Sequence, residues 1–341
     1  MAFELDIEQP AALLRYLREG GWIGAQETPR LTVLTGGVSN RTMLVERETG
    51  EGWVVKQALA KLRVQVDWFS SPARIHREAL SIAVLAPLCP PGSVPRLIFE
   101  DLPNFIMAME AVPQPHANWK QMLLAGNLQT DHVRQFARLL ATIHRETGLR
   151  RDALLADFGD RAFYESLRLE AYYLYTGTQV PEAAAFYDQL VAATRARQDT
   201  LVHGDYSPKN VLVHHGQLVL LDYEVAHLGE PAFDLGFSLT HLLSKAHHLP
   251  ALRHEFTEAA RLYWETYRAH TGDAPWTAGL EGRAVRHTLG CLLARVAGRS
   301  PLEYLNDAER ARQRAAVVAL IADPPATVEA LVTGFIRQLA A

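Results

Sequence analysis

The sequence predicts an α+β chain of two lobes, a small β-rich N-terminal lobe with one main helix and a larger helical C-terminal lobe. Length is the first reason, because 341 residues exceed what a single hydrophobic core usually organises. The second is a change of period along the chain. Short apolar runs separated by turn residues come first. After the stretch Ala111-Val112-Pro113-Gln114-Pro115, too rich in proline for a regular element, apolar residues recur at helical spacing instead. The lobes are therefore expected at residues 1–110 and 116–341, with a hinge at 111–115.

Residues 10–19 read as a short amphipathic helix closed by Gly20 and Gly21. Residues 31–34, 42–45 and 53–56 describe a three-stranded antiparallel meander, with Gly36 and Gly37 in its first connection and Glu48-Thr49-Gly50-Glu51-Gly52 in its second. Residues 72–88 return to helical spacing through Ile75, Leu80, Val84 and Leu88, and Pro90-Pro91-Gly92 ends that pattern. Two further strands are expected at 96–100 and 105–109. Beyond the hinge, residues 131–146 form the strongest helical pattern, with Asp131 as candidate cap and Val133, Phe136, Leu140 and Ile143 in one stripe. Helices are also expected at 162–175, 182–197, 251–270, 281–297, 307–321 and 327–339.

Composition excludes several function classes. Hydrophobic residues make up 48% and charged residues 21%, and 34 Lys plus Arg face 38 Asp plus Glu, so no global field favours nucleic acid or an anionic membrane. Cys89 and Cys291 are too few and too far apart for a disulfide framework or a Cys-rich metal site. Glu4, Asp6 and Glu8 occupy the place where a secretory signal carries basic residues. The expectation is a cytoplasmic protein with no obligate protein partner, homodimerisation aside.

Chemistry gathers between residues 201 and 237. Two apolar runs, 210–213 and 218–221, flank His214-His215-Gly216-Gln217 and read as a β-hairpin. His203-Gly204-Asp205-Tyr206-Ser207-Pro208-Lys209-Asn210 leads into it, and Asp222-Tyr223-Glu224 leads out. Hairpin geometry is expected to bring those polar ends together. Phosphoryl transfer needs such a set: one carboxylate beside the attacking hydroxyl, and a carboxylate plus an amide to hold Mg²⁺ on the phosphates. Asp222 and Asn210 are hard-oxygen donors of the kind Mg²⁺ prefers, which leaves Asp205 as base.

These residues resemble the catalytic loop and metal-binding segment of the aminoglycoside phosphotransferase and protein-kinase-like superfamily. The resemblance implies a protein-kinase-like bilobal fold that uses ATP and Mg²⁺. It makes Asp205 the catalytic base, Asn210 and Asp222 metal ligands, Lys56 the phosphate-contacting lysine and Glu78 its ion-pair partner. In the loop Thr35-Gly36-Gly37-Val38-Ser39-Asn40, residues Gly36, Gly37, Ser39 and Asn40 are positioned to meet phosphate through backbone amides. Met109, Glu110 and Ala111 fall where adenine would meet the hinge. His203 and Asp234 take structural roles, Asp234 resembling the aspartate that braces the catalytic loop.

Only a short loop fits between Asp222 and Asp234, so a small acceptor is expected rather than a peptide. Within the superfamily the chain is similar to methylthioribose kinases in Val55-Lys56-Gln57-Ala58-Leu59, in Trp68, and in Asp222-x-Glu224 followed by Phe233-Asp234-Leu235-Gly236. That likeness adds Glu224 as a metal ligand, Arg295 as a substrate contact, and a sugar such as methylthioribose as acceptor. Aminoglycoside, choline-like and homoserine-like acceptors are the alternatives. Eight Arg against six acidic residues between 280 and 341 speak against a polycationic aminoglycoside. A reading of another class is a nucleotide-binding pseudokinase or partner-binding module. Histidines 241, 247 and 248 are read as structural rather than as a zinc set, and Tyr172, Tyr173 and Tyr175 as core.

Overall fold

A computed structural model describes residues 5–340 apart from 36, 38 and 64–68. Gly36, Val38 and Trp68 therefore lie outside the described residues. The chain is a mixed helix and sheet protein whose residues group into two compact units. The first takes in residues up to His116 together with Val219–Glu224, and the second the remainder. Segment 219–224 thus joins the first unit, whereas the sequence boundaries put it with the second. Local bonds explain the grouping: Leu220 N donates to Ser93 O at 2.9 Å, and Arg74 Nε pairs with Glu224 Oε2 at 3.1 Å.

The first unit is built on a five-stranded antiparallel sheet of strands β1 (Arg30–Val33), β2 (Asn40–Glu46), β3 (Gly52–Ala58), β4 (Leu97–Asp101) and β5 (Ile106–Glu110) in the order β1-β2-β3-β5-β4. Alternation along β3 separates the two faces, because successive strand residues point to opposite sides. Trp53 and Val55 join Met43, Val45, Phe99, Ile106 and Ala108 in a core covered by Leu13 and Leu17 of helix α1 (Pro10–Glu19). Gln57 shares that face and binds Ile7 N and Leu5 O through its amide. Lys56, one residue out of phase, reaches Glu78 of helix α2 (Arg74–Leu85). Two helices of similar length therefore serve the sheet, where the sequence suggested one main helix. The buried stripe of α2 is Ile75, Ala79, Ile82 and Leu85. Leu80, Val84 and Leu88 are only partly buried, a correction to the expected stripe.

The second unit is mostly helical. Its long helices are α3 (Thr130–Gly148), α4 (Ala232–His248), α5 (Arg253–Thr271), α6 (Leu280–Ala297), α7 (Asp307–Ala322) and α8 (Val328–Ala340). Val133, Phe136, Leu140 and Ile143 of α3 are all buried, as the period predicts. Asp131 is not the cap: Gln129 holds that position without a side-chain bond, and Asp131 lies in the first turn, where its charge suits the helix dipole. Residues 162–175 do not form one α-helix. Three α-helical residues, Ala162–Tyr164, lead into a π-helical segment, Glu165–Leu174. Wider turns of this kind cluster at functional sites. Among the described residues no helix is long and apolar enough to cross a membrane.

Candidate active site

In the first unit the site begins at Lys56. Its Nζ lies 2.6 Å from Glu78 Oε1, and β3 and α2 present the pair from opposite elements. Burial pushes the Lys56 ammonium down, but the carboxylates of Glu78, Asp222 and Glu224 prevail and hold it above its usual range. Glu78 is raised in turn, by burial first and then by Asp222, against the pull of Lys56. Asp222 adopts φ 71°, in the left-handed region that non-glycine residues rarely occupy. Strain of this sort persists where surrounding structure imposes it and is concentrated at functional sites.

Sequence reasoning missed Arg74. It is fully buried and gathers Ser70 O, Ser71 O, Leu59 O, Ser39 O and Glu224 Oε2 around one guanidinium. The end of the glycine loop is fixed this way, since Ser39 O also accepts from Leu59 N at 3.0 Å. Glu224 is thereby paired with Arg74. Asn40 is buried at the start of β2, and its Oδ1 has no hydrogen-bond partner among the described residues. Met109 is buried at the end of β5, while the amides of Glu110 and Ala111 already bond Arg96 O and Gly52 O at 2.9 Å.

In the second unit the loop around Asp205 is built on a turn that only glycine suits. Gly204 has φ 77°, and a Cβ there would lie 2.7 Å from Val225 Cγ2. Asp234, at the start of α4, fastens that turn: Oδ2 accepts His203 N at 2.7 Å and Oδ1 accepts Gly204 N at 2.9 Å. His144 Nε2 stands 3.3 Å from Asp234 Oδ2, with Tyr267 OH 2.8 Å from the other ring nitrogen. Ser238, one turn along α4, donates to Tyr206 O at 3.0 Å. His203 Nδ1 accepts Asp205 N at 3.2 Å.

Asp205 itself is almost fully buried. Its Oδ2 lies 3.0 Å from Arg168 Nη2 and 3.0 Å from Lys209 Nζ. Burial pushes the carboxyl up, yet Lys209, Arg168 and His203 outweigh it and hold the group well below the usual carboxylate range. Asn210 closes a short 3-10 turn, Pro208–Asn210. Its Nδ2 donates to Asp205 O at 3.0 Å, which leaves Oδ1 as the atom suited to a cation. Neither cation was expected from the sequence: Lys209 stands four residues after Asp205 within the motif, and Arg168 comes from the π-helical segment 37 positions upstream.

Arg295 is buried near the end of α6, bonded to Tyr172 OH at 3.0 Å and to Ser300 Oγ at 2.9 Å. Tyr173 is fully buried and meets His287 Nδ1 at 2.8 Å. Among the described residues no group of three or more His, Cys, Asp or Glu is arranged to hold a metal by itself. His248 pairs with Glu309 at 2.9 Å instead.

No curated protein sequence matches the chain. Among solved structures, a macrolide 2′-phosphotransferase from Brachybacterium faecium is 18% identical, with 92% of this chain and 98% of that one covered and a TM-score of 0.53. A choline/ethanolamine kinase family protein from Mesorhizobium loti is 15% identical, with 98% of both chains covered and a TM-score of 0.55. An amicoumacin kinase in complex with AMP-PNP, Ca²⁺ and Ami is 14% identical, with 94% of this chain and 97% of that one covered and a TM-score of 0.55. These likenesses show a shared fold. The family model described as the phosphotransferase enzyme family matches residues 30–270, and the chain belongs to that family.

Proposed function

We propose that this phosphotransferase is an ATP-dependent small-molecule kinase of bilobal, protein-kinase-like architecture, in which Asp205 serves the hydroxyl that receives the γ-phosphoryl group. The observation that carries the reading is the buried Asp205 carboxylate, held by a turn whose two amides are both bonded to Asp234. A rigid, pre-positioned carboxylate is what general-base positioning of an acceptor hydroxyl requires.

The donor set fits Mg·ATP. Lys56 is kept charged by neighbouring carboxylates and suits phosphate oxygens. Asp222 and Glu224 in the first unit and Asn210 in the second offer hard oxygens for Mg²⁺. The loop with Gly36, Gly37, Ser39 and Asn40 would cover the phosphates, and Met109, Glu110 and Ala111 would flank the base. When bound, Mg·ATP supplies the phosphoryl group and the metal neutralises its charge. Nucleotide and divalent cation accompany the amicoumacin kinase, which supports the same cofactors here.

Asp205 acts on the acceptor side. Its low proton affinity makes it chiefly an orienting acceptor for the hydroxyl, taking the proton only as the O–P bond forms. Lys209 and Arg168 keep it ionised and fixed in direction. The test is ADP release in the presence of Mg·ATP across sugars including methylthioribose, amino alcohols, hydroxy acids and aminoglycosides. A kinase gives acceptor-dependent ADP. A nucleotide-binding pseudokinase gives Mg·ATP-dependent thermal stabilisation with no acceptor-dependent ADP.

A further inference from the structure

Helix α4 continues past the catalytic turn with the same face. Asp234, Ser238, His241 and Lys245 are spaced four, three and four residues apart, which stacks their side chains along one side of a helix. The first two fasten the Asp205 loop. The next two have no such task. His241 is buried, and neither ring nitrogen has a hydrogen-bond partner among the described residues. Lys245 is fully buried, and among the described residues its ammonium donates only to the carbonyl of His241 in its own helix. Its ammonium otherwise faces the ring of Tyr304, 5.4 Å from the centroid.

Neighbouring elements add cations rather than balance them. Arg295 from α6 lies over Tyr172 at 5.6 Å, and Arg168 lies over the same ring at 5.9 Å on the way to Asp205. Arg295 Nε is buried without a partner among the described residues. Phe237 bridges Tyr172 and His241, with ring centroids 5.8 and 5.3 Å away. Lys120 pairs with Glu303. A further carboxylate of the second unit, Glu309, is taken by His248 and by the start of α7. Around Lys245 and Arg295 the second unit thus gathers Lys120 and Glu303, and beside them Arg168 and Lys209 converge on Asp205.

A buried ammonium or guanidinium without a counter-charge is costly, and folding does not retain such groups for stability. From this we infer that the acceptor is an anionic alcohol, its carboxylate or phosphate held by Lys245, His241 and Arg295 while its hydroxyl meets Asp205. The inference rests on the kinase reading and deepens it. The same cations repel choline-like and polycationic acceptors. They also give a neutral sugar no use for Lys245. Burial, together with Lys120 and Arg295, pushes the Lys245 ammonium down to about 7 against the opposing pull of Glu303. A bound anion restores its charge.

The experiment compares D-glycerate, 2-hydroxyethyl phosphate, methylthioribose and choline as acceptors for ADP release at saturating Mg·ATP, in the wild type, Lys245→Met and His241→Gln. One of the two anionic alcohols is expected to show kcat/KM at least tenfold above the neutral and cationic compounds. Which of the two does so separates a carboxylate from a phosphate ligand. Each variant is expected to raise KM for that acceptor at least tenfold with KM for ATP unchanged. Lys245→Met is also expected to raise the Tm of the acceptor-free protein, which shows that it folds and that the lysine serves a ligand rather than the core. Turnover confined to methylthioribose or choline, an unchanged acceptor KM in both variants, or no turnover with any of the four while Mg·ATP still raises Tm would each overturn the inference. If Mg·ATP neither raises Tm nor is hydrolysed, the kinase reading beneath it fails.

Discussion

Arg168 and Asp205 meet through Nη2 and Oδ2 at 3.0 Å, and the same guanidinium donates from Nε to Gly204 O at 2.7 Å. One side chain therefore holds both the carboxylate and the turn that carries it. Lysine cannot reproduce that fork. Arg168→Lys is expected to lower kcat roughly tenfold, the equivalent of one charge-assisted hydrogen bond of about 1.4 kcal/mol, with KM for ATP unchanged. An unaltered kcat in steady-state assays would show that Asp205 does not depend on this contact.

Lys56→Met should act differently. It removes the cation from a buried set in which Glu78, Asp222 and Glu224 already raise the lysine's proton affinity. Uncompensated buried carboxylate costs roughly 3–5 kcal/mol. The variant is expected to melt at lower temperature and to lose Mg·ATP-dependent stabilisation, both read by thermal denaturation. Retained nucleotide stabilisation would remove Lys56 from the phosphate site.

Gly236 tests how α4 is held. A Cβ there would stand 2.4 Å from His287 Cβ and 2.6 Å from His287 C of α6. Backbone cannot yield as a flexible side-chain tip can. Gly236→Ala is expected to destabilise the fold by about 1–3 kcal/mol, the usual scale of overpacking, measured by urea denaturation. A neutral result would mean that the two helices can move apart without consequence.

Much of the first unit was legible because its strands alternate and its turns carry glycine, so the meander could be read directly, while the pairing of Lys56 with Glu78 came from the family resemblance. The loop from His203 to Asn210 was legible as a motif. Of helix α4 only the end before Pro250 read as helical, for a physical reason: every residue from Ala232 to His247 is buried, and a helix buried all round shows no amphipathic period. His241 and Lys245 were hidden with it, since a polar residue on such a helix looks like any surface position until its burial is known. Arg74 and Arg168 escaped because their partners lie 150 and 37 residues away in sequence. The π-helical segment reads like an α-helix, because wider turns leave no distinct signature in the order of apolar residues.

Stability should also depend on pH through Lys245. Its native proton affinity, about 7, lies below the unfolded value of 10.5, so the native state binds fewer protons between those limits. Stability then rises with pH across that window and is lost as pH falls through 7. Urea midpoints for wild type and Lys245→Met are expected to differ most near pH 7, the variant being the more stable, and to converge toward pH 10. A difference independent of pH would mean that the lysine is paired as well in the folded protein as in water.

Asp205→Asn bears most directly on the whole account. It keeps the shape of the side chain while removing the negative charge that Arg168 and Lys209 direct. Acceptor-dependent ADP release is expected to fall roughly 100- to 10,000-fold, the scale of a lost catalytic base, with Mg·ATP binding retained. Turnover within a few-fold of the wild type would contradict the central claim that this carboxylate serves the attacking hydroxyl.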